Sequence, residues 1–143
     1  SRGLGDVYKR QGVSIDGATK ETYEKLRLGG RWEKILEGLE CMAEQKQKHG
    51  FRFILHFVVQ KDNYHEMETI IDLGEQFGAD RVWLNKIEDW GTSDDFKAQD
   101  IWGTPDYQEQ FAKIVQRIHS RNNDRFIECP TLITEAARRR NKN

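Results

Sequence analysis

The stretch GVSIDGATKETYEKLRLGG, residues 12–30, decides the fold, because it reads as a short buried strand that turns into a capped helix. Aliphatic and polar residues alternate over residues 13–16, so a strand there places Ser14 and Asp16 together on one face. Thr19 follows the turn and is a suitable helix N-cap. The stretch therefore predicts a strand that ends in a hydroxyl and a carboxylate.

Two further units of strand and helix follow along the chain. Residues 53–59 and 82–87 are rich in β-branched and aromatic side chains, which favour strands. Asn63 and Glu66 have the spacing of a capping box before the second helix, and a third helix is predicted over residues 104–121. The apolar faces predicted for the helices are Trp32, Ile35, Leu36, Leu39, Met42 and Ala43, with Cys41 on the same side; Met67, Ile70, Ile71 and Phe77; and Tyr107, Phe111, Ile114, Val115 and Ile118.

A repeat of strand then helix is typical of α/β proteins with a parallel sheet. Right-handed crossovers then place the three strands side by side in chain order, as a segment of a barrel. The loops after the strands, residues 17–20, 60–63 and 88–100, share the carboxyl edge, where such folds bind ligands. We therefore expect the functional site at this edge.

Several of these residues also carry a resemblance to a known family. The order Ser14, Asp16-Gly17, Thr22-Tyr23, Arg27 and Gly29-Gly30 resembles the fourth strand and following helix of radical S-adenosylmethionine (radical SAM) enzymes, in particular the subgroup with SPASM or twitch extensions. FILHFVVQKDNYHEM, residues 53–67, resembles the fifth strand and its helix, and VWLNKIEDWGT, residues 82–92, resembles the sixth strand. The resemblance covers the chain from residue 12 to about residue 104.

The resemblance implies that residues 12–122 are the C-terminal half of a partial (βα)6 TIM-type barrel. It also implies an oxidoreductase whose 4Fe-4S cluster and S-adenosylmethionine produce a 5′-deoxyadenosyl radical, which abstracts a hydrogen atom from the substrate. The implied partners are S-adenosylmethionine, an electron donor and a peptide, protein, sugar or other small-molecule substrate. Residues 123–143 are expected to be an extension or tail.

Six residues are candidates for cofactor binding: Ser14, Asp16, Arg27, Gln60, Asn63 and Asn85. Family position implies that Ser14 and Asp16 contact the ribose or the amino-acid end of S-adenosylmethionine, and the Arg27 guanidinium suits bidentate capture of a carboxylate. Each also has a structural alternative. Ser14 and Asp16 can satisfy backbone groups at a strand end, Arg27 can be a solvated arginine, and Asn63 can serve as the helix cap.

The cluster-binding CxxxCxxC loop of the family is absent from this chain. Cys41 and Cys129 lack ligand spacing, and no metal site is predicted from the four histidines. Residues 1–11, SRGLGDVYKRQ, resemble a translated sequencing adapter, so we expect a non-native segment with few buried contacts there and the first three βα units upstream of residue 12.

Composition excludes several classes of protein. Charged residues make up 33% of the chain and the net charge is −1, which predicts no nucleic-acid partner. The longest apolar run, residues 53–59, is too short to span a bilayer, and two cysteines make no disulfide framework, so we expect a cytoplasmic protein without membrane contact.

Two interpretations remain open from the sequence. In the first, the parent protein is a radical SAM enzyme. In the second, the chain is part of another α/β barrel or a non-catalytic βα module, in which Ser14 and Asp16 only close the end of a strand. A CxxxCxxC loop in the upstream coding sequence would decide between them.

Overall fold

The computed structural model describes residues 10–87, 99, 105–121 and 126–128. Four parallel strands pair in the order β1-β2-β3-β4, and helices connect them. The elements are β1 (Arg10–Ser14), α1 (Lys20–Leu26), α2 (Trp32–His49), β2 (Arg52–Val59), a 3-10 turn (Tyr64–Glu66), α3 (Met67–Gln76), β3 (Arg81–Lys86), α4 (Pro105–Ser120) and β4 (Ile127–Glu128). The predicted α/β class and the order of the first three strands are confirmed.

The two faces of the sheet differ in what covers them. Val13, Leu55 and Val82 are partners across the first three strands and face the helices, with Leu55 and Val82 fully buried. An added Cβ at Gly74 of α3 would lie 2.5 Å from Val82 Cγ2, which shows how closely the helix packs on this face. The prediction that Val13 and Val82 face the helices is confirmed.

The hydrophobic core lies between this face and the helices. Burial alternates along β2 residue by residue, as expected for a strand with one covered face. The largest side chains that are fully buried are Phe53, Phe57, Phe111, Ile15, Leu39, Leu55, Met67, Ile70, Ile71 and Leu84. They come from all three predicted units, so the core joins the units into one body.

The opposite face carries Ser14, His56 and Trp83 in one row across the first three strands. Ser14 is exposed, His56 is half-buried, and Trp83 is 37% exposed. Among the described residues no helix packs on this row. We call this side the open face.

Strand boundaries differ from the prediction at β1 and at the end of the chain. β1 spans Arg10–Ser14, so Asp16 lies in the loop after the strand, and Arg10 and Gln11 pair with β2 although they belong to the segment expected to be non-native. Gln11 is exposed, and residues 1–9 lie outside the described part. The sequence did not predict that Ile127–Glu128 would add a fourth parallel strand.

The predicted position of Cys41 on the apolar side of α2 is wrong, because the residue is exposed. Two residues correspond to about 200° around a helix, so Cys41 points away from the buried Leu39. Trp32, Ile35 and Met42 are only half-buried against the core. In the part of the chain that the structure describes, no helix is long and apolar enough to cross a membrane.

Candidate functional site

The loop after β1 holds Asp16 beside Arg27, the residue that ends α1. The Arg27 backbone N–H donates to Tyr23 O at 2.9 Å, and Arg27 Nε lies 3.3 Å from Asp16 Oδ2. The Asp16 side chain is 19% exposed and the Arg27 side chain 43% exposed, which places the pair at the surface edge of the fold. Asp16 Oδ1 is buried and has no hydrogen-bond partner among the described residues. Because buried polar atoms are nearly always partnered, this oxygen is suited to accept a hydrogen bond from a ligand.

Asn63 ties this loop to the carboxyl end of β2. Its side chain is fully buried, and Nδ2 donates to Asp16 O at 3.0 Å and to Val58 O at 2.8 Å. Asn63 Oδ1 accepts from the Gln60 backbone N–H at 2.8 Å, and Gln60 Nε2 donates to Val58 O at 3.3 Å. Asn63 occupies the predicted N-cap position, at the start of the 3-10 turn, but its side chain makes no capping bond and instead links the strand ends.

Ser14 and Asn85 lie on the open face, on the strands that flank β2. Ser14 pairs with His56, and Asn85 pairs with Val58, which lies two residues nearer the carboxyl end of β2. Asn85 is half-buried and shares its face with Trp83, as predicted for alternate residues of one strand. Four of the six candidates, Asp16, Arg27, Gln60 and Asn63, are therefore joined by direct contacts, whereas Ser14 and Asn85 approach the same edge on the open face.

An imidazole and an indole lie together below these polar residues. The His56 and Trp83 ring centroids are 5.2 Å apart, with 35° between the ring planes. A Cβ at Gly12 would lie 2.8 Å from His56 Nε2, so the glycine leaves the room that the imidazole occupies over β1. The open face is thus partly aromatic beneath its polar rim.

Glu66 is the residue of this edge that sequence reasoning missed. Its carboxylate is buried, with Oε1 accepting from Ala18 N at 2.7 Å and Oε2 accepting from Thr19 Oγ1 at 2.8 Å and from Thr22 Oγ1 at 2.7 Å. Hydrogen bonds to a charged group contribute about 1.5–3 kcal/mol each, so this cluster is a strong link between the first two βα units. The sequence does show a glutamate shortly after the end of a strand, but its position in a capping box already explained that glutamate.

Thr19 has a double role at the start of α1. Its Oγ1 accepts from the Thr22 backbone N–H at 3.4 Å, which confirms the predicted N-cap, and the same hydroxyl donates to Glu66. Gly17 fits beside this turn because a Cβ there would lie 2.4 Å from Tyr23 N. The loop that carries Asp16 is therefore packed directly on the helix that carries Arg27.

Tyr64 begins the 3-10 turn after β2 and contacts α4. Its hydroxyl donates to Gln110 Oε1 at 2.8 Å, and its ring packs edge-on against Tyr107 at 5.9 Å between centroids. Burial raises the pKa of Tyr64, and the neighbouring Tyr107 adds to this rise. At neutral pH the phenol is a neutral hydrogen-bond donor.

An ion pair on the surface joins the two helices of the first unit. Lys20 Nζ lies 2.6 Å from Glu33 Oε1. The hydrogen bond from Lys20 lowers the pKa of Glu33, and the same contact raises the pKa of Lys20. Both groups are solvated, so the pair is a surface feature and not part of the candidate site.

The residues at this edge offer hydrogen-bonding and charged groups. A carboxylate oxygen without a partner among the described residues lies next to a half-exposed guanidinium, and such a pair can bind hydroxyl, ammonium or carboxylate groups of a ligand. Across the described ranges, no group of three or more His, Cys, Asp or Glu side chains is placed to hold a metal ion. Cys41 lies exposed on α2, and Cys129 lies outside the described residues, so this part of the chain provides no cluster ligands.

A cavity of about 530 Å³ lies at the opposite, amino end of the strands. It is lined by Arg52, Ile54, Asp80, Arg81, Trp83 and Glu128. Its acidic residues are already used: Glu128 pairs with Arg81, and Asp80 accepts from Lys46 Nζ at 2.9 Å and from Phe53 N at 3.0 Å. In α/β barrels this end contributes to stability, and we place the candidate site at the carboxyl edge.

About half of the chain resembles a known enzyme. The chain is 35% identical over 72 residues to the AdoMet-dependent heme synthase of Methanosarcina barkeri (strain Fusaro / DSM 804). That relative is an enzyme that depends on S-adenosylmethionine. The matched stretch is 50% of this chain but only 20% of the relative, so the chain spans about a fifth of the relative's length. No family model and no solved structure matches the chain.

Proposed function

We propose that this chain is the part of a radical SAM oxidoreductase that supplies strands four to six of a partial (βα)6 barrel and one side of its S-adenosylmethionine site. The observation that carries the proposal is Asp16 at the carboxyl edge, with one oxygen held by Arg27 and the other buried without a hydrogen-bond partner among the described residues. The similarity to an AdoMet-dependent enzyme supports the same cofactor.

In this proposal the residues of the edge divide into two groups. Asp16 Oδ1 accepts from the ribose hydroxyls or the ammonium group of S-adenosylmethionine, and Arg27 binds its carboxylate. Ser14 and Asn85 extend the contact along the open face. Asn63 holds Asp16 in place, since its Nδ2 donates to Asp16 O and to Val58 O. Gln60 supports this arrangement, because its backbone N–H donates to Asn63 Oδ1.

When bound, S-adenosylmethionine and a 4Fe-4S cluster supply a 5′-deoxyadenosyl radical for hydrogen abstraction in the proposed family. The cluster ligands would have to come from parts of the parent other than those described here, because these offer no suitable group of side chains. The substrate would be a peptide, protein, sugar or other small molecule, with electrons from a separate donor. The contribution of this chain is to bind and orient the cofactor.

The test is cofactor cleavage by the parent enzyme. The full-length protein is purified without oxygen, reconstituted with iron and sulfide, reduced, and supplied with S-adenosylmethionine. We expect 5′-deoxyadenosine as a product, and we expect Asp16→Asn to raise the KM for S-adenosylmethionine about tenfold through loss of a charge-assisted hydrogen bond.

Glu33→Gln is the matched control, because it also replaces a carboxylate by an amide but lies in a solvated surface pair. Its KM should stay within about twofold of wild type, as expected for an exposed ion pair. A parent that lacks a CxxxCxxC loop upstream and releases no 5′-deoxyadenosine would contradict the proposal and favour a different α/β barrel or a non-catalytic module.

A further inference from the structure

Glu66 connects two units of the fold that are distant in sequence. Its two carboxylate oxygens accept one backbone and two hydroxyl hydrogen bonds, at 2.7, 2.8 and 2.7 Å, from Ala18, Thr19 and Thr22. The donors precede it by 44 to 48 residues. The side chain is only 5% exposed, so its acceptor capacity is directed into the protein and not toward solvent.

All three donors belong to the segment that carries the proposed cofactor contacts. Ala18 follows Asp16 by two residues, while Thr19 and Thr22 form the first turn of α1, whose last turn leads into Arg27. Fixing this segment at its middle therefore sets the positions of both Asp16 and Arg27. The segment is tightly packed, since Gly17 lies against the Tyr23 backbone with no room for a side chain.

A second contact from the same turn acts on Asp16 itself, on the other side of Gly17. Asn63 binds the Asp16 carbonyl oxygen at 3.0 Å, and the Glu66 backbone N–H donates to Asn63 O at 2.8 Å. The turn after β2 is thus hydrogen-bonded to the loop after β1 at two points, one before and one after Gly17. His65 Nε2, on an exposed side chain, also lies 3.5 Å from Glu66 Oε2.

We propose that Glu66 is a positioning residue for the S-adenosylmethionine site, which acts by holding the loop of Asp16 and the helix of Arg27 in their binding geometry. This inference rests on the proposed function. Glu66 is not a catalytic residue, because its buried oxygens are engaged by the protein and do not face a ligand.

The experiment uses the reconstituted parent enzyme and compares Glu66→Ala and Glu66→Gln with wild type. Glu66→Ala removes all three acceptor contacts, and we expect the Kd and KM for S-adenosylmethionine to rise about tenfold. We expect kcat at saturating cofactor to stay within about threefold, since the residue sets binding geometry and not the chemical step. Glu66→Gln keeps one acceptor oxygen and should give a smaller rise.

Glu68→Gln provides the matched control. Glu68 lies two residues later and pairs with Arg117 of α4 at 2.7 Å, away from the loop of Asp16. Its Kd for S-adenosylmethionine should equal that of wild type. Hydrogen exchange of the peptide that contains Ala18 should become faster in Glu66→Ala and stay unchanged in Glu68→Gln. This comparison measures how strongly Glu66 stabilises the loop, and it needs no cofactor.

Two failures can be told apart in this design. If wild-type parent does not bind S-adenosylmethionine, the proposed function is wrong and this inference falls with it. If wild type binds and the Glu66 variants bind equally well, or if kcat falls while KM is unchanged, the positioning role alone is overturned. Should Glu66→Ala not fold, the comparison of Glu66→Gln with Glu68→Gln decides by the same criteria.

Discussion

Asn63 shows how one buried side chain can organise an edge of the sheet. It bonds three backbone groups from the loop after β1, the end of β2 and the following turn. A local pattern predicted a helix cap, but the bond to Asp16 O reaches 47 residues back along the chain. Contacts of this kind depend on how the strands pair, so they cannot be predicted from residues that are neighbours in sequence.

Replacement of Asn63 by alanine should strongly destabilise the chain. Asn63→Ala removes two donors and one acceptor at a buried position, and we expect the free energy of unfolding to fall by about 2–4 kcal/mol. Gln60→Ala removes one side-chain bond of 3.3 Å and should cost less than about 1 kcal/mol. Urea denaturation at one fixed protein concentration measures both, and equal losses would contradict the account.

Tyr64 gives a prediction on pH. Burial raises its pKa above the ordinary value of 10.0, so the folded state favours the neutral phenol. Its contribution to stability is therefore present below the unfolded pKa and is lost as pH rises through the folded pKa. As pH rises above about 10, the stability of wild type should fall more steeply than that of Tyr64→Phe; equal slopes would show that Tyr64 ionises as in the unfolded chain.

The sequence predicted the helices and strands more accurately than it predicted the contacts of single residues. Alternation over residues 13–16 correctly placed Ser14 on the face opposite Val13, and β2, β3 and α4 lie within a residue or so of their predicted bounds. β1 begins earlier than predicted because backbone pairing with β2 extends to Arg10 whatever the side chains are. β4 has only two residues, which is too short for a periodic signal.

Two glycines in the first unit should respond to alanine in opposite directions. Gly17 is required for space, because a Cβ would lie 2.4 Å from Tyr23 N, and Gly17→Ala should lower stability by about 2–3 kcal/mol. Gly38 lies within α2 with nothing within 4 Å of an added Cβ, so Gly38→Ala should raise stability by about 0.5–1 kcal/mol. Thermal unfolding compares the two, and a tolerated Gly17→Ala would contradict the packed loop.

The described part of the molecule is a parallel sheet covered by helices on one face. Parallel sheets are usually covered on both faces, and β1 pairs only with β2 among the described strands. The open face and this edge are the surfaces that the proposed barrel would cover with further strands. The apolar pattern of the sequence predicted the covered face, whereas the open face is mixed in polarity, so a pattern of apolar residues cannot predict what covers it.

We therefore expect the 143-residue chain alone to self-associate and to bind neither S-adenosylmethionine nor a 4Fe-4S cluster with useful affinity. Trp83→Lys places a charge on the open face and should reduce association in size-exclusion chromatography. Leu28→Lys is the control, because Leu28 is 94% exposed and lies in the connection between α1 and α2. A monomeric wild-type chain, or an equal effect of both variants, would contradict this role of the open face.

The central claim is that the carboxyl edge of β1 binds S-adenosylmethionine. A crystal structure of the parent enzyme with this cofactor tests it most directly. We expect a ribose hydroxyl or the ammonium group of the cofactor within about 3.2 Å of Asp16 Oδ1, with the Arg27 guanidinium facing the cofactor carboxylate. A cofactor bound elsewhere, with Asp16 Oδ1 still without a ligand contact, would contradict it.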